Sequence, residues 1–212
     1  MTRALILCML PLALGLGEQQ AAVAVHIEAR AGEPVLVLTP PMEAALRRFD
    51  PGVTIRRLSD YPPYMWRPGC TWSPERVRGV YQLKPREARF AVVGDFNGDR
   101  IPDVVMDGDN LSSGRRIVLL SNHGSFSASE VDSFVRIAAD IEASRATKGA
   151  QRAWENGVSY GLSLVRPGLY RSPYETQALT LKSDAFIVSW FEKAAVLFYL
   201  RNGEWASFTL SD

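Results

Sequence analysis

Read for the spacing of its apolar positions, the chain offers one stretch of helical period and many short runs of strand length. Val35-Leu36-Val37-Leu38 is an apolar run of strand length, whose type periodicity alone does not settle, and Thr39-Pro40-Pro41 stops it. Met42, Ala45, Leu46 and Phe49 then recur at helical spacing as far as Asp50-Pro51-Gly52. Pro41 stands where a first helical residue tolerates a missing N–H, and Arg47 and Arg48 fall in the last turn, where cations complement the dipole. The spacing predicts one short amphipathic helix. Val53-Thr54-Ile55 reads as a brief strand after it.

Beyond residue 90 the pattern is β. Phe90-Ala91-Val92-Val93 and Val104-Val105-Met106 flank a polar loop, and Asp107-Gly108-Asp109-Asn110 has the composition of a turn. Arg116 to Ser121 is a strand closed by a hairpin turn at Asn122-His123-Gly124-Ser125-Phe126, with Val131 to Ile137 as the next strand. Residues 138–156 are polar and lack an apolar stripe, so they read as a linker or a surface helix. From 159 to 212 strands are expected at Tyr160–Val165, Ala178–Leu181, Ala185–Trp190, Ala195–Leu200 and Trp205–Leu210. Turns at Pro167-Gly168, Lys182-Ser183-Asp184 and Arg201-Asn202-Gly203 separate them, and Asn202-Gly203 is the strongest hairpin signal in the chain. The expectation is a single mainly β domain over 25–212, α+β at most, with few short helices and an antiparallel C-terminal meander.

Length and charge narrow the partners. A chain of 212 residues with 47% hydrophobic content can bury one core. Twenty-four Lys and Arg against 23 Asp and Glu leave a formal charge of +1, so no global field recruits nucleic acid. The basic residues Arg56, Arg57, Arg76, Arg78, Lys84, Arg86 and Arg89 come without interleaved aromatics or a glycine cradle, and read as a solvated face.

The N-terminus, one basic residue followed by an apolar run to Gly17, reads as a signal peptide within 1–24, cleaved after Gly17 or Ala24. The run stops at Glu18, short of the roughly 20 residues of a spanning helix, and no later stretch is long and apolar enough to span. An exported protein, periplasmic or secreted, with no stable membrane span after processing, is expected. Removal of the segment leaves Cys70 alone, either inert or paired with another chain.

The stretch Gly94-Asp95-Phe96-Asn97-Gly98-Asp99-Arg100-Ile101-Pro102-Asp103-Val104-Val105 commits to specific chemistry. Asp95, Asn97, Asp99 and Asp103 bring oxygen-bearing side chains to the first, third, fifth and ninth places of a short loop, and the carbonyl of Ile101 adds one more. Calcium takes six to eight oxygens, and alternate residues of a tight loop supply them compactly. Like charges packed so closely repel unless a counter-ion joins them. Histidine and cysteine are missing from the cluster, which counts against zinc and copper. An EF-hand would want a bidentate acid at the twelfth place, which is Met106.

With its continuation through Arg116-Ile117-Val118-Leu119-Leu120-Ser121-Asn122-His123-Gly124-Ser125-Phe126, this stretch closely resembles an FG-GAP/VCBS-type repeat over residues 90–126. The resemblance implies a blade-like unit in which Asp95, Asn97, Asp99, Ile101 and Asp103 ligate Ca²⁺. Arg100 stands where the family usually has Gly; if φ is positive there, a side chain costs on the order of 1 kcal/mol and weakens the site. Full-length members build propellers from several blades, which one unit cannot do. A fainter echo begins at Asp184-Ala185-Phe186-Ile187-Val188 and ends at Arg201-Asn202-Gly203-Glu204-Trp205, without the acidic loop. It is expected to form a degenerate second unit beside the first.

No catalytic residue is assigned. Ser121, His123 and Asp132 are near in sequence without forming a recognisable triad, no Gly-x-Ser-x-Gly elbow occurs, and His26 falls near the processed N-terminus. Asp107 and Asp109 could do acid–base work, or extend the acidic rim of the loop. Tyr61, Tyr64, Trp66 and Trp72 could form a surface for a glycan or a protein ligand, or cap a core. The expected function is an exported, non-enzymatic calcium-binding β domain. The alternatives are a secreted hydrolase with a structural calcium, and a carbohydrate- or peptide-binding module using residues 61–72.

Overall fold

Residues Asp103–Asp109 form a strand in which every position is buried, and the first sheet is built outward from it. The computed structural model describes residues 24–31, 33–61, 86–110, 113–135, 160–190 and 194–211. In chain order these form β1 (His26–Arg30), β2 (Glu33–Val37), helix α1 (Pro40–Phe49), β3 (Thr54–Ile55), a 3-10 turn at Leu58–Asp60 and β4 (Glu87–Ala88). There follow β5 (Ala91–Gly94), β6 (Asp103–Asp109), β7 (Ser113–Asn122), β8 (Ser125–Val135) and β9 (Tyr160–Val165). The C-terminal part holds β10 (Gly168–Tyr170), β11 (Leu179–Leu181), β12 (Ala185–Trp190), β13 (Ala195–Arg201) and β14 (Glu204–Ser211). The protein is mainly β, its sheets are antiparallel, and they close into neither a barrel nor a propeller.

Two meanders dominate. The first sheet runs β4-β5-β6-β7-β8, with β3 on the same edge of β6 as β5; the second runs β14-β13-β12-β9. Alternation along the second sheet sorts its side chains cleanly between two cores. Leu162, Phe186 and Val188, with Leu164, Phe198 and Trp205, point into the core shared with the first sheet. Val165, Ala185, Leu197 and Phe208, with Ile187, Tyr199 and Leu210, point the other way, under the β10–β11 hairpin. On the far side of the first sheet lie α1, which buries Met42, Ala45 and Leu46, and the β1–β2 hairpin.

Hairpin chemistry fixes the ends of the meanders. His123-Gly124 joins β7 to β8 and Asn202-Gly203 joins β13 to β14, each turn having two residues with φ of 47° and 85°, and 53° and 84°. Both central residues of such a turn are left-handed, which matches the twist of the flanking strands.

Several boundaries differ from expectation. Asp107-Gly108-Asp109, turn-like in composition, continues β6 because its carboxylates meet buried guanidinium groups. The strand after the hairpin begins at Ser125, not Val131, since Phe126 and Ala128 alternate with exposed Ser127 and Ser129. Pro167-Gly168 leads into a further strand, and His26 belongs to β1. Residues 1–23 of the expected signal peptide 1–24, the aromatic residues Tyr64, Trp66 and Trp72, Cys70, the basic residues Arg76, Arg78 and Lys84, and the expected linker 138–156 lie outside the described residues. Among those described, no helix is long and apolar enough to cross a membrane.

Candidate functional site

Residues 95–102 connect β5 to β6 and lie where the two meanders meet. Each acidic or amide side chain folds back onto the backbone ahead of it, the local habit of Asp and Asn that competes with regular structure. Asp95 accepts from the N–H of Gly98 at 2.7 Å and of Arg100 at 2.9 Å. Asn97 Oδ1 accepts from the Asp99 N–H at 3.0 Å, and Asp99 Oδ1 from the Ile101 N–H at 2.8 Å. Gly98 and Arg100 adopt φ of 82° and 70°, so Arg100 holds a side chain in the left-handed region that favours glycine.

Asp103, at the start of β6, is fully buried and closes the loop from behind. Its Oδ2 accepts from the N–H groups of Phe96 at 2.9 Å and Asn97 at 3.4 Å, and its Oδ1 from Ser121 N–H at 2.7 Å. Burial pushes this carboxyl up to about 6, against the pull of those donors. Ser121 on β7 also donates its hydroxyl to Asp99 Oδ2, and Asn97 Nδ2 donates to the Ser121 carbonyl at 2.9 Å. Burial is the largest single influence on Asp99 and opposes its charge, but the Ser121 hydroxyl, the Ile101 N–H and the Asn97 amide together outweigh it and hold the carboxyl below its ordinary range.

The loop therefore brings Asp95, Asn97, Asp99 and Asp103 to one short connection, with Ile101 exposed at its outer end. Among the described residues no three His, Cys, Asp or Glu side chains stand together in an arrangement that would hold a metal as they are placed. Their oxygens are turned to N–H groups instead. The donor chemistry still fits a hard cation: all the donors are oxygens, and Asp95, Asn97 and Asp99 keep unused acceptor capacity while Asp103 is nearly filled. Among the described residues no Lys or Arg forms an ion pair with Asp95, Asp99 or Asp103.

The other candidates separate. Ser121 is committed to Asp103 and Asp99, so it is not poised against a base. Tyr61 is buried and donates to Asp107 at 3.0 Å, so it does not contribute to a surface for ligands. Asp107 and Asp109 do not extend the acidic rim; they point into a buried ionic network between the sheets.

That network is the feature the sequence reading missed. Arg56, placed on a solvated face by composition, is 1% exposed and forks onto Asp109 at 2.8 and 2.7 Å. Its Nη1 donates to Tyr160 Oη at 2.7 Å. Arg116 donates to Asp107 at 3.1 Å, and both guanidinium groups lie over the Tyr160 ring, 5.8 and 5.1 Å from its centroid. Burial opposes the charge on Arg56, but the Asp109 hydrogen bond and the surrounding acids hold it protonated. The signal was present in the register: on a β6 extended to Asp109, Asp107 faces Arg116 directly across the ladder.

A cleft of about 750 Å³ opens elsewhere, between the β1–β2 hairpin, α1 and β3, lined by Leu36, Leu46, Val53, Ile55 and Phe90 and edged by Arg47 and Arg57. Comparison of the chain with protein-family models, with curated proteins and with solved structures gives no match.

Proposed function

We propose that this is an exported, non-enzymatic calcium-binding β domain, in which an ion held by Asp95, Asn97, Asp99, the Ile101 carbonyl and Asp103 fixes the β5–β6 loop. The observation that carries the reading is the uncompensated charge of the loop. Asp95, Asp99 and Asp103 share a short connection, no Lys or Arg among the described residues forms an ion pair with them although Arg100 stands in the loop, and Asp103 is buried at a cost that a dication would offset. The resemblance of residues 90–126 to an FG-GAP/VCBS unit supports the same assignment. The left-handed Arg100 supports a weak site, consistent with the roughly 10⁻⁴ to 10⁻³ M affinity that extracellular modules need. When bound, the ion supplies charge neutralisation and a fixed loop shape; the chain supplies the oxygens and the N–H clamps that orient them.

The test is a calcium titration followed by thermal unfolding. A ligand at about a hundred times its Kd stabilises by roughly 2.7 kcal/mol, which for a chain of this size raises Tm by about 5–10 °C. The rise should disappear in Asp99→Ala and be reversed by EDTA. An unchanged Tm in the wild-type protein at about 100 mM calcium, a hundred times the weaker of those affinities, would remove the proposal.

A further inference from the structure

The loop's inner side does more than close on itself. Phe96, between Asp95 and Asn97, is fully buried and enters the aromatic group of the second sheet, with ring centroids 6.2 Å from both Phe186 and Trp205 in edge-on geometry. Asp95 exchanges two hydrogen bonds with Asp184: its N–H donates to Asp184 Oδ2 at 3.0 Å, and Asp184 N–H donates to its carbonyl at 2.9 Å. Ser183 donates its hydroxyl to the Phe96 carbonyl at 2.9 Å. Asp184 is itself almost buried and held by Arg166 at 3.1 Å. Gly94 approaches so closely that a Cβ there would sit 2.9 Å from Leu164 and 3.1 Å from Asp184. On its outer side the same loop grips Ser121 of β7 through Asn97, Asp99 and Asp103.

A loop bonded to one sheet through its even-handed clamps and to the other through its backbone has no freedom to change shape alone. We propose that the 95–103 loop is a relay between the sheets. Its conformation sets how tightly the C-terminal sheet β9-β12-β13-β14 docks, so whatever binds the loop side chains is read out at Trp205 and the β12–β14 amides. Strand pairs linked this way open as one cooperative unit, and an event at one site must be felt reciprocally at the other. The relay rests on the hydrogen bonds and ring contacts above and goes beyond the calcium reading.

Hydrogen exchange on the full chain tests it. Asn97 touches Ser121, Asp99 and Asp103 and makes no hydrogen bond to the second sheet. In Asn97→Ala, amides of 185–211 should exchange roughly tenfold faster, while those of 26–49 stay at the wild-type rate. Asn97→Asp, which exchanges the amide donor for a further carboxylate, serves if the alanine variant does not fold, and should shift the same amides in the same direction. Loosening confined to 94–122 in either variant overturns the relay. Saturating calcium should slow exchange in 94–104 and in 185–211 together, and Ser183→Ala should weaken the second effect more than the first. Calcium protecting 94–104 alone also overturns the relay; calcium protecting neither removes the calcium reading, and the Asn97 variants then decide the relay.

Discussion

At the scale of single residues, Arg100 shows how a side chain can tax a site without touching its chemistry. The residue stands at φ 70° in a loop whose other left-handed position is Gly98, and its N–H is fixed by Asp95. An L-residue there crowds its Cβ against the backbone, at roughly 1 kcal/mol. Arg100→Gly relieves that cost but gives the unfolded chain more freedom, so the net gain is expected to be about 0.5–1 kcal/mol. Tm without metal should rise by about 1–4 °C, and calcium affinity should improve with it. A fall in Tm would show that the guanidinium contributes more than its backbone strain removes. The φ at Arg100 is positive, the condition under which the resemblance, with its usual glycine there, expected a cost; the closeness of Ser121 and Asp184 was not legible, because each is far from the loop in sequence and is brought in by strand register.

At the scale of elements, the strand ends carry the specificity. Gly94 pairs with Asp103 across the β5–β6 ladder, yet what forbids a larger residue is the neighbouring sheet, through Leu164 and Asp184. Gly94→Ala should therefore destabilise by about 1–3 kcal/mol, the range for overpacking a filled site, read as a lowered denaturant midpoint at constant m-value. A destabilisation under a few tenths would mean that β9 moves aside freely. The C-terminal strands were legible to within a residue or two because apolar alternation and two-residue turns agree there, as at Ala185–Trp190 and Asn202-Gly203. The end of β6 was not, because Asp107-Gly108-Asp109 has turn composition, and only the tertiary partners Arg56 and Arg116 make it strand. The strand β10 and its pairing with β11 escaped for a similar reason: the two short strands fold back over the outer face of the sheet, and their pairing is set by that packing.

At the scale of the whole molecule, the two meanders share a core whose centre is ionic on one side and aromatic on the other. Removing one partner of a buried pair leaves the other charge desolvated, which costs about 3–5 kcal/mol, whereas exchanging the whole set for apolar residues can be nearly neutral. Arg116→Met should thus lower the denaturant midpoint by far more than the same substitution at Arg171, an exposed arginine after β10. The network also makes alkaline stability a readout of sheet docking. Burial, aided by the charge of Asp107, pushes the phenols of Tyr61 and Tyr160 well above their ordinary 10, and the nearby Arg56, with Arg116 at Tyr160, only partly opposes this. Both groups therefore stay protonated in the fold at a pH where the unfolded chain has already released their protons. A raised folded-state pKa means stability is fully present below pH 10 and falls as pH rises above it, by about 1.4 kcal/mol per pH unit for each phenol. Tyr160→Phe should flatten the decline by roughly half, since one of two such groups is gone, even though it also removes the hydrogen bond from Arg56 and lowers stability at neutral pH. Denaturant midpoints measured between pH 8 and about 11 decide the matter: an unchanged slope in Tyr160→Phe would mean that the phenol titrates in the fold as it does in the open chain, and that the two sheets do not seal the network from water.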